Sequence, residues 1–227
     1  MDETTSSTAA RRWGSGTAAI VRLLVAADQP LTQVAMAEAV GVTQPRASQV
    51  LRALTEDGAV TASARGYRGR RARLLDLYVL RSRPHLVEPV AFWFSLKPMI
   101  DQARAIARAA AKAGVQIAVS ADLGPDLLVP WRHPTLTVVY SFQRLHLDTA
   151  GFVPAEGPGD ASVVVRHTDD STLLTPSPGW AATVDGIPLT DPVQQWRDLL
   201  DLGGEDRREA AVRLRRAILD RGLPRST

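Results

Sequence analysis

The first sixty residues contain three runs of apolar positions at helical spacing, separated by proline, glycine and polar residues. Thr17–Ala27 forms one apolar stripe, and Gln29-Pro30 ends it because proline lacks an N–H to continue a helix. The next two runs lie on either side of Gly41-Val42-Thr43. Their apolar positions are Val34, Ala37, Val40, Val42, Ala47, Val50, Leu51 and Leu54. The pattern predicts three successive helices.

The second and third of these helices are predicted to meet at a tight turn. Gly41 can adopt the left-handed backbone conformation that ends a helix, and Thr43 can accept hydrogen bonds from the N–H groups that open the next. Leu31-Thr32 provides the same kind of start for the second helix. Gly58 ends the third helix, so the segment is typical of a helix-turn-helix.

A dense group of cations follows the third helix. Ala59–Ala64 and Arg73–Val79 are predicted to be two short strands, joined by a loop that Gly66 and Gly69 allow to curl. Five arginines lie within nine residues, and like charges this close repel one another unless an anion neutralises them. The group consists of Arg65, Arg68, Arg70, Arg71 and Arg73, with Tyr67 among them. It favours phosphate binding over a merely solubilising loop.

The arrangement of three helices and a basic hairpin resembles a winged helix-turn-helix DNA-binding domain. The segment GVTQPRASQVLRALTEDGAV is similar to the recognition-helix segment of that family. Arginine can donate two hydrogen bonds to guanine and glutamine can pair with adenine in the major groove. Arginines of the wing would contact phosphates and the minor groove. The candidate DNA-binding residues are Thr43, Gln44, Arg46, Ser48, Gln49, Arg52, Arg65, Tyr67, Arg68, Arg70, Arg71 and Arg73. The alternative for the third helix is an ordinary solvated face.

The second half of the chain alternates predicted strands with predicted helices. Val90–Phe94 is either a core strand or a surface that pairs with a second copy or with the winged domain. Four strands are expected at Val115–Val119, Thr135–Tyr140, Ser162–Arg166 and Ala182–Val184. Three helices are expected at Met99–Ala113, Pro192–Leu202 and Glu205–Arg221. The predicted fold class is α+β, with an N-terminal winged helix-turn-helix domain followed by a mixed α/β C-terminal domain.

Charge and length support a division into two domains after a flexible arm. Residues 1–113 carry 16 Lys and Arg and 9 Asp and Glu, a net charge of +7. Residues 114–227 carry 11 Lys and Arg and 15 Asp and Glu, a net charge of −4. A basic domain joined to an acidic one is typical of a DNA-binding module with a separate sensing or partner-binding module. We predict an arm over residues 1–14, the winged domain over 15–85 and a regulatory or partner-binding domain over 86–227.

The composition also indicates the compartment. The chain has no cysteine, which excludes disulfides and thiolate metal sites. The opening residues lack the apolar core of a signal peptide, and no apolar run approaches the roughly 20 residues that span a bilayer. We therefore expect a cytoplasmic protein that has no membrane partner.

The C-terminal half resembles a second known group. The segments SADLGPDLLVPWRHPT and VDGIPLTDPVQQWRDLLDLGG, followed by a terminal helix, look like the C-terminal domain of the AbiEi family of type IV antitoxins. Membership would imply binding to the promoter of the protein's own operon and repressing it. It would also imply opposition to a nucleotidyltransferase-like toxin. The expected partner is double-stranded DNA, with a homodimer, a toxin and a small-molecule effector left open.

Catalytic and metal chemistry have little support in the sequence. Asp122 and Asp126 resemble a carboxylate pair, but no Asp-x-Asp motif follows them to help hold magnesium, so turn or capping roles are favoured. The four histidines lack the spacing that puts two on one helix face. Trp131, Trp180 and Trp196 are interpreted as core residues, with a small-effector pocket as the alternative. We expect no enzymatic activity, no catalytic residues, no metal site and no cofactor.

Overall fold

The computed structural model describes residues 12–83, 86–131 and 133–225. The fold is α+β, with helices at the N-terminal end and a sheet in the C-terminal part, which confirms the predicted class. Most of the predicted arm, residues 1–11, lies outside the described residues. Its last part is tied to the fold, because the Trp13 N–H donates to the Arg81 carbonyl oxygen across 2.9 Å.

Three helices open the chain: α1 (Ser15–Ala26), α2 (Gln33–Val40) and α3 (Gln44–Glu56). The Thr32 hydroxyl accepts from the Ala35 N–H at 3.2 Å, and the Thr43 hydroxyl accepts from the Arg46 N–H at 3.4 Å. Gly41 ends α2 in the left-handed conformation, with a φ of 72°. The three predicted helices, the two caps and the turn are confirmed.

A two-stranded antiparallel hairpin follows, but only its first strand was predicted correctly. Strand β1 (Val60–Ser63) pairs with β2 (Gly66–Gly69). The predicted strand Arg73–Val79 is wrong, because these residues form part of helix α4 (Arg71–Arg81). The buried residues of α4 include pairs that are three and four residues apart, which places them on one helical face. They are Leu74, Leu75, Leu77 and Tyr78.

The C-terminal part is built on a five-stranded mixed sheet. Its strands are β3 (Val87–Phe94), β4 (Ile117–Asp122), β5 (Thr137–Ser141), β6 (Val153–Pro154) and β7 (Val163–His167). They lie in the order β4-β5-β7-β3-β6, with β5 and β7 parallel and the other pairs antiparallel. The predicted strands near residues 117, 137 and 163 are confirmed with shifts of one to three residues. The Val90–Phe94 segment forms the second part of β3.

Four helices and a small hairpin surround this sheet. They are α5 (Met99–Ala113), α6 (Leu123–Leu128), β8 (Thr183–Val184), β9 (Ile187–Pro188), α7 (Pro192–Leu202) and α8 (Glu205–Asp220). The bounds of α5 and α7 match the sequence prediction, and α8 ends one residue before the predicted end. Helix α6 was not predicted. Helix α7 packs against both β4 and α8.

One continuous set of buried apolar side chains joins the N-terminal helices to the C-terminal part. Leu24 of α1 and Leu75 of α4 belong to the same cluster as Trp180 and Leu199. Pro84 and His85, where the domain boundary was predicted, lie outside the described residues. The division into two domains stays a prediction, and the described residues on its two sides share a core.

Candidate nucleic-acid interface

Helix α3 presents a buried face to the core and a polar face to solvent. Ala47, Val50, Leu51 and Leu54 are buried. Among the candidate residues of this helix and its cap, Thr43, Gln44, Arg46, Gln49 and Arg52 are exposed and Ser48 is half-buried. Gln49 and Arg52 are three residues apart, so their side chains leave the same face of the helix. This face lies opposite the core and has the donors and acceptors needed to contact base edges.

Arg46 lies on a different flank of α3 from Arg52. Its Nη2 donates to the Thr17 hydroxyl of α1 across 3.0 Å, which draws the guanidinium toward the start of α1. On the opposite flank the Gln33 side chain of α2 donates to the Gln44 carbonyl oxygen across 2.9 Å. Both contacts fix the orientation of α3 against its neighbours. The outer face of α3 therefore centres on Gln49 and Arg52.

The hairpin is attached firmly to the helix-turn-helix segment. The N–H of Tyr67 donates to the Leu31 carbonyl oxygen at 2.8 Å, and the Leu31 N–H donates back at 2.9 Å. Gly66 makes this close approach possible, since its φ is 116° and an added Cβ would lie 2.4 Å from the Leu31 oxygen. The half-buried Tyr67 side chain packs against the core. The hairpin is thus held in one position relative to the start of α2.

The predicted cations of this region fall into two groups. Arg65, Arg68 and Arg70 are exposed on the hairpin or directly after it. Arg71 instead donates to the carbonyl oxygens of Val25 and Ala27 at 2.7 and 2.9 Å. Arg73 lies on the exposed side of α4, with its Nε 3.4 Å from the Asp57 carbonyl oxygen. Helix α4 therefore turns Arg71 and Arg73 toward protein acceptors, whereas the first three face solvent.

Arg71 belongs to a charged cluster that joins the end of α1 to the C-terminal end of the chain. Asp28 lies 3.0 Å from Arg71 and 3.4 Å from Arg221, and it also pairs with Arg225. Partial burial opposes ionisation of Asp28, but hydrogen bonds from Arg71 and Arg225 outweigh it and lower the pKa of Asp28. The sequence gives no sign of this cluster, because its members lie at opposite ends of the chain.

A buried polar network was also missed by sequence reasoning. Tyr78 of α4 accepts from Arg22 of α1 at 3.0 Å and donates to Gln194 of α7 at 2.7 Å. Gln194 donates to Asp198 at 3.0 Å, and Arg166 donates to the same carboxylate at 2.9 Å. Burial raises the pKa of Asp198 and is opposed by the positive charge of Arg166. The network runs from α1 through α4 and α7 to Arg166 of the sheet.

The carboxylates and tryptophans considered for chemistry have structural partners. Arg207 holds Asp122 with two hydrogen bonds of 2.7 and 3.0 Å. Asp126 accepts from the Trp131 N–H at 3.0 Å. Trp180 and Trp196 are buried, as expected of core residues. The core prediction is wrong for Trp131, which is 42% exposed and stacks under Arg213.

Metal sites and membrane spans are both absent from the residues that the structure describes. Within them, no three His, Asp or Glu side chains gather closely enough to hold a metal ion. Across the same residues, no helix is both long and apolar enough to cross a bilayer.

Comparison of the chain with protein-family models, with curated proteins and with solved structures gives no match. The resemblances to the winged helix-turn-helix and AbiEi families therefore stay predictions.

Proposed function

We propose that the protein is a sequence-specific DNA-binding transcriptional regulator that represses its own operon. The observation that supports this most strongly is that an exposed polar helix face and an exposed basic hairpin lie on the same group of connected elements. Helices α2 and α3 meet at the Gly41 turn, and the ladder between Leu31 and Tyr67 holds the hairpin beside them. This is the geometry by which a winged helix-turn-helix would contact a groove and the adjacent backbone.

In this proposal α3 enters the major groove with its outer face toward the bases. Gln49 and Arg52 would read base edges, since bidentate contacts from Gln to adenine and from Arg to guanine discriminate sequence. Arg65, Arg68 and Arg70 would contact phosphates, and Arg65 at the hairpin turn would reach a narrow minor groove. The net positive charge of residues 1–113 would attract the protein to DNA.

The regulatory claim can be tested with a reporter gene placed behind the upstream region of the protein's own operon. We expect the wild-type protein to lower expression and Arg52→Ala to relieve that repression. Arg104→Ala is a matched control, since Arg104 is exposed on α5, which packs against β4 and β9 of the C-terminal part. Expression that does not change with wild-type protein would contradict the proposal of repression.

The antitoxin role implied by the AbiEi resemblance stays a second prediction. It can be tested by coexpressing the protein with a nucleotidyltransferase-like toxin encoded beside it. Rescue of growth by the wild-type protein would support this role. Rescue that persists in Arg52→Ala would separate it from repression.

A further inference from the structure

A cavity of about 470 Å³ opens on the α1 side of α3. Its walls come from the start of α1, the flank of α3 that carries Arg46, and the end of α4. The volume lies within the range of about 300–1,000 Å³ that is usual for small-molecule sites. Arg46 and Gln49 both line it, so the cavity is continuous with the predicted DNA-reading helix.

The charge of this cavity is positive. Arg12, Arg46 and Arg81 line it together with one carboxylate, Asp57. That carboxylate is already bound by Arg81, with N–O distances of 2.5 and 3.3 Å. Arg46 has a neutral protein partner, the hydroxyl of Thr17. Among the described residues, the guanidinium groups of Arg12 and Arg46 therefore have no carboxylate partner and remain for an anion.

The start of α1 lies in the same walls. Helix α1 begins at the cavity with Gly14 as its N-cap, without a capping side chain and without an acidic residue in its first turn. The first N–H groups of a helix have no intrahelical partner and attract negative charge. The uncapped start of α1 therefore favours an anion that lies close to Arg12 and Arg46.

The cavity also offers an aromatic surface. Trp13 is half-buried at its edge, and the bond from its N–H to the Arg81 carbonyl oxygen fixes its backbone. An indole ring can stack on a nucleobase, and guanidinium groups suit phosphate. An inorganic phosphate would use only part of the space, whereas a nucleotide would use both surfaces.

We propose that this cavity binds a free nucleoside phosphate, with the phosphate near Arg12 and Arg46 and the base against Trp13. Because Arg46 and Gln49 belong to α3, an occupied cavity would compete with DNA. Competition with DNA depends on the proposed function, whereas binding of the nucleotide does not. The site would act as the effector pocket of the regulator.

The test is isothermal titration calorimetry of the full chain with adenosine 5′-monophosphate, inorganic phosphate and adenosine. We expect the monophosphate to bind the wild-type protein and Arg12→Ala/Arg46→Ala to weaken it by about tenfold or more, through the loss of charge-assisted hydrogen bonds. Arg104→Ala/Arg108→Ala is the control, because both arginines are exposed on α5. Trp13→Leu should weaken the monophosphate and leave inorganic phosphate unchanged.

The outcomes separate this site from the proposed regulator function. Equal affinity in the wild type, the double variant and the control, or no binding of the monophosphate at all, would overturn the site. Suppose that Arg12→Ala/Arg46→Ala loses DNA affinity and that the wild-type protein does not bind the monophosphate. The two arginines would then contact phosphates of the DNA backbone, and the nucleotide site would be overturned. Nucleotide binding that depends on Arg46, in a protein that does not prefer its upstream duplex, would support the site and contradict the proposed function.

Discussion

Arg52 and Arg71 carry the same guanidinium group in different surroundings. Arg52 is exposed on the outer face of α3, whereas Arg71 is fixed by the carbonyl oxygens of Val25 and Ala27 and by Asp28. Neighbouring side chains and carbonyl groups therefore decide which cations are available to an anion. Counting arginines in the sequence does not distinguish the two.

Replacing Arg52 by alanine tests base reading. We expect the variant to lose about 1–3 kcal/mol of binding free energy for the cognate duplex and to discriminate less against a scrambled one. Its unfolding free energy should change little, because the side chain is exposed. Titration of both duplexes by fluorescence anisotropy would measure this, with Arg104→Ala as control. Unchanged discrimination would show that Arg52 does not read bases.

His167 provides a prediction about pH. The pKa of His167 is lowered from the ordinary value of 6.5, mainly by burial. A hydrogen bond with the Gln143 backbone raises the pKa, and the charge of Arg144 lowers it further. The unfolded chain therefore binds a proton more readily than the folded one. The stability contributed by neutral His167 is fully present above pH 6.5 and is lost as the pH falls below it.

Urea unfolding at pH 7.5 and pH 5.5 would measure this effect. Wild-type protein should lose more unfolding free energy on acidification than His167→Gln does, because the variant cannot bind that proton. His146→Gln is the control, since His146 is exposed. The same loss in wild type and His167→Gln would contradict the assignment.

At the scale of elements, the hairpin and α4 divide the basic segment. Replacing Arg65, Arg68 and Arg70 by alanine should weaken binding to every duplex, because these residues are proposed to contact phosphate. It should also reduce the slope of log affinity against log salt by about 0.9 for each phosphate that the protein no longer neutralises. The salt series should be measured on cognate and scrambled duplexes.

Arg71→Ala should behave differently from that triple variant. It removes hydrogen bonds to the end of α1 and should lower the unfolding free energy by about 1–3 kcal/mol, with a smaller effect on the salt slope. Thermal unfolding and the salt series together would show this. A salt slope reduced by the amount expected for one phosphate, with normal stability, would return Arg71 to the set of phosphate ligands.

Helix periodicity and glycine breaks were sufficient to predict α1, α2, α3, α5 and α7. The failure at α4 has a physical reason. Leu74-Leu75 and Leu77-Tyr78 fit a helical face, but the preceding arginines and glycines favoured a long wing whose second strand would take in these residues. Helix α6 has only six residues, too few for a periodic signal. Local patterns cannot show contacts such as Asp28 with Arg225, because these depend on tertiary packing.

For the candidate interface, the sequence could predict the exposed face of α3 but not its contacts with other elements. Exposure of Gln49 and Arg52 followed from the apolar spacing of α3, since residues opposite the core face solvent. The contact of Arg46 with Thr17 could not be predicted, because it depends on how α1 crosses α3. The cavity beside α3 was missed for the same reason.

At the scale of the whole molecule, buried polar groups connect α1 and α4 to the C-terminal part. Tyr78 bonds Arg22 and Gln194 at once, and Arg22 also donates to the Thr172 hydroxyl at 2.6 Å. These contacts lie inside a core that the two parts share. The positions of α1 and α4 are therefore coupled to that of α7.

Removing the Tyr78 hydroxyl tests this coupling. We expect Tyr78→Phe to lower the unfolding free energy by about 1–3 kcal/mol, because the buried Nη1 of Arg22 and the amide oxygen of Gln194 lose their bonds to the hydroxyl. Tyr67→Phe is a control, since Tyr67 is half-buried and its ring is retained. Urea unfolding followed by circular dichroism should show one transition for all three proteins. If Tyr78→Phe lowers the unfolding free energy no more than Tyr67→Phe does, the network does not contribute to stability as expected.

The most direct measurement is fluorescence anisotropy of the wild-type protein with a duplex covering its own upstream region, beside a scrambled duplex, at several salt concentrations. The proposed function predicts preference for the native duplex and an affinity that falls steeply with salt, as phosphate contacts require. Equal affinity for both duplexes at every salt concentration would contradict sequence-specific recognition by α3 and the hairpin.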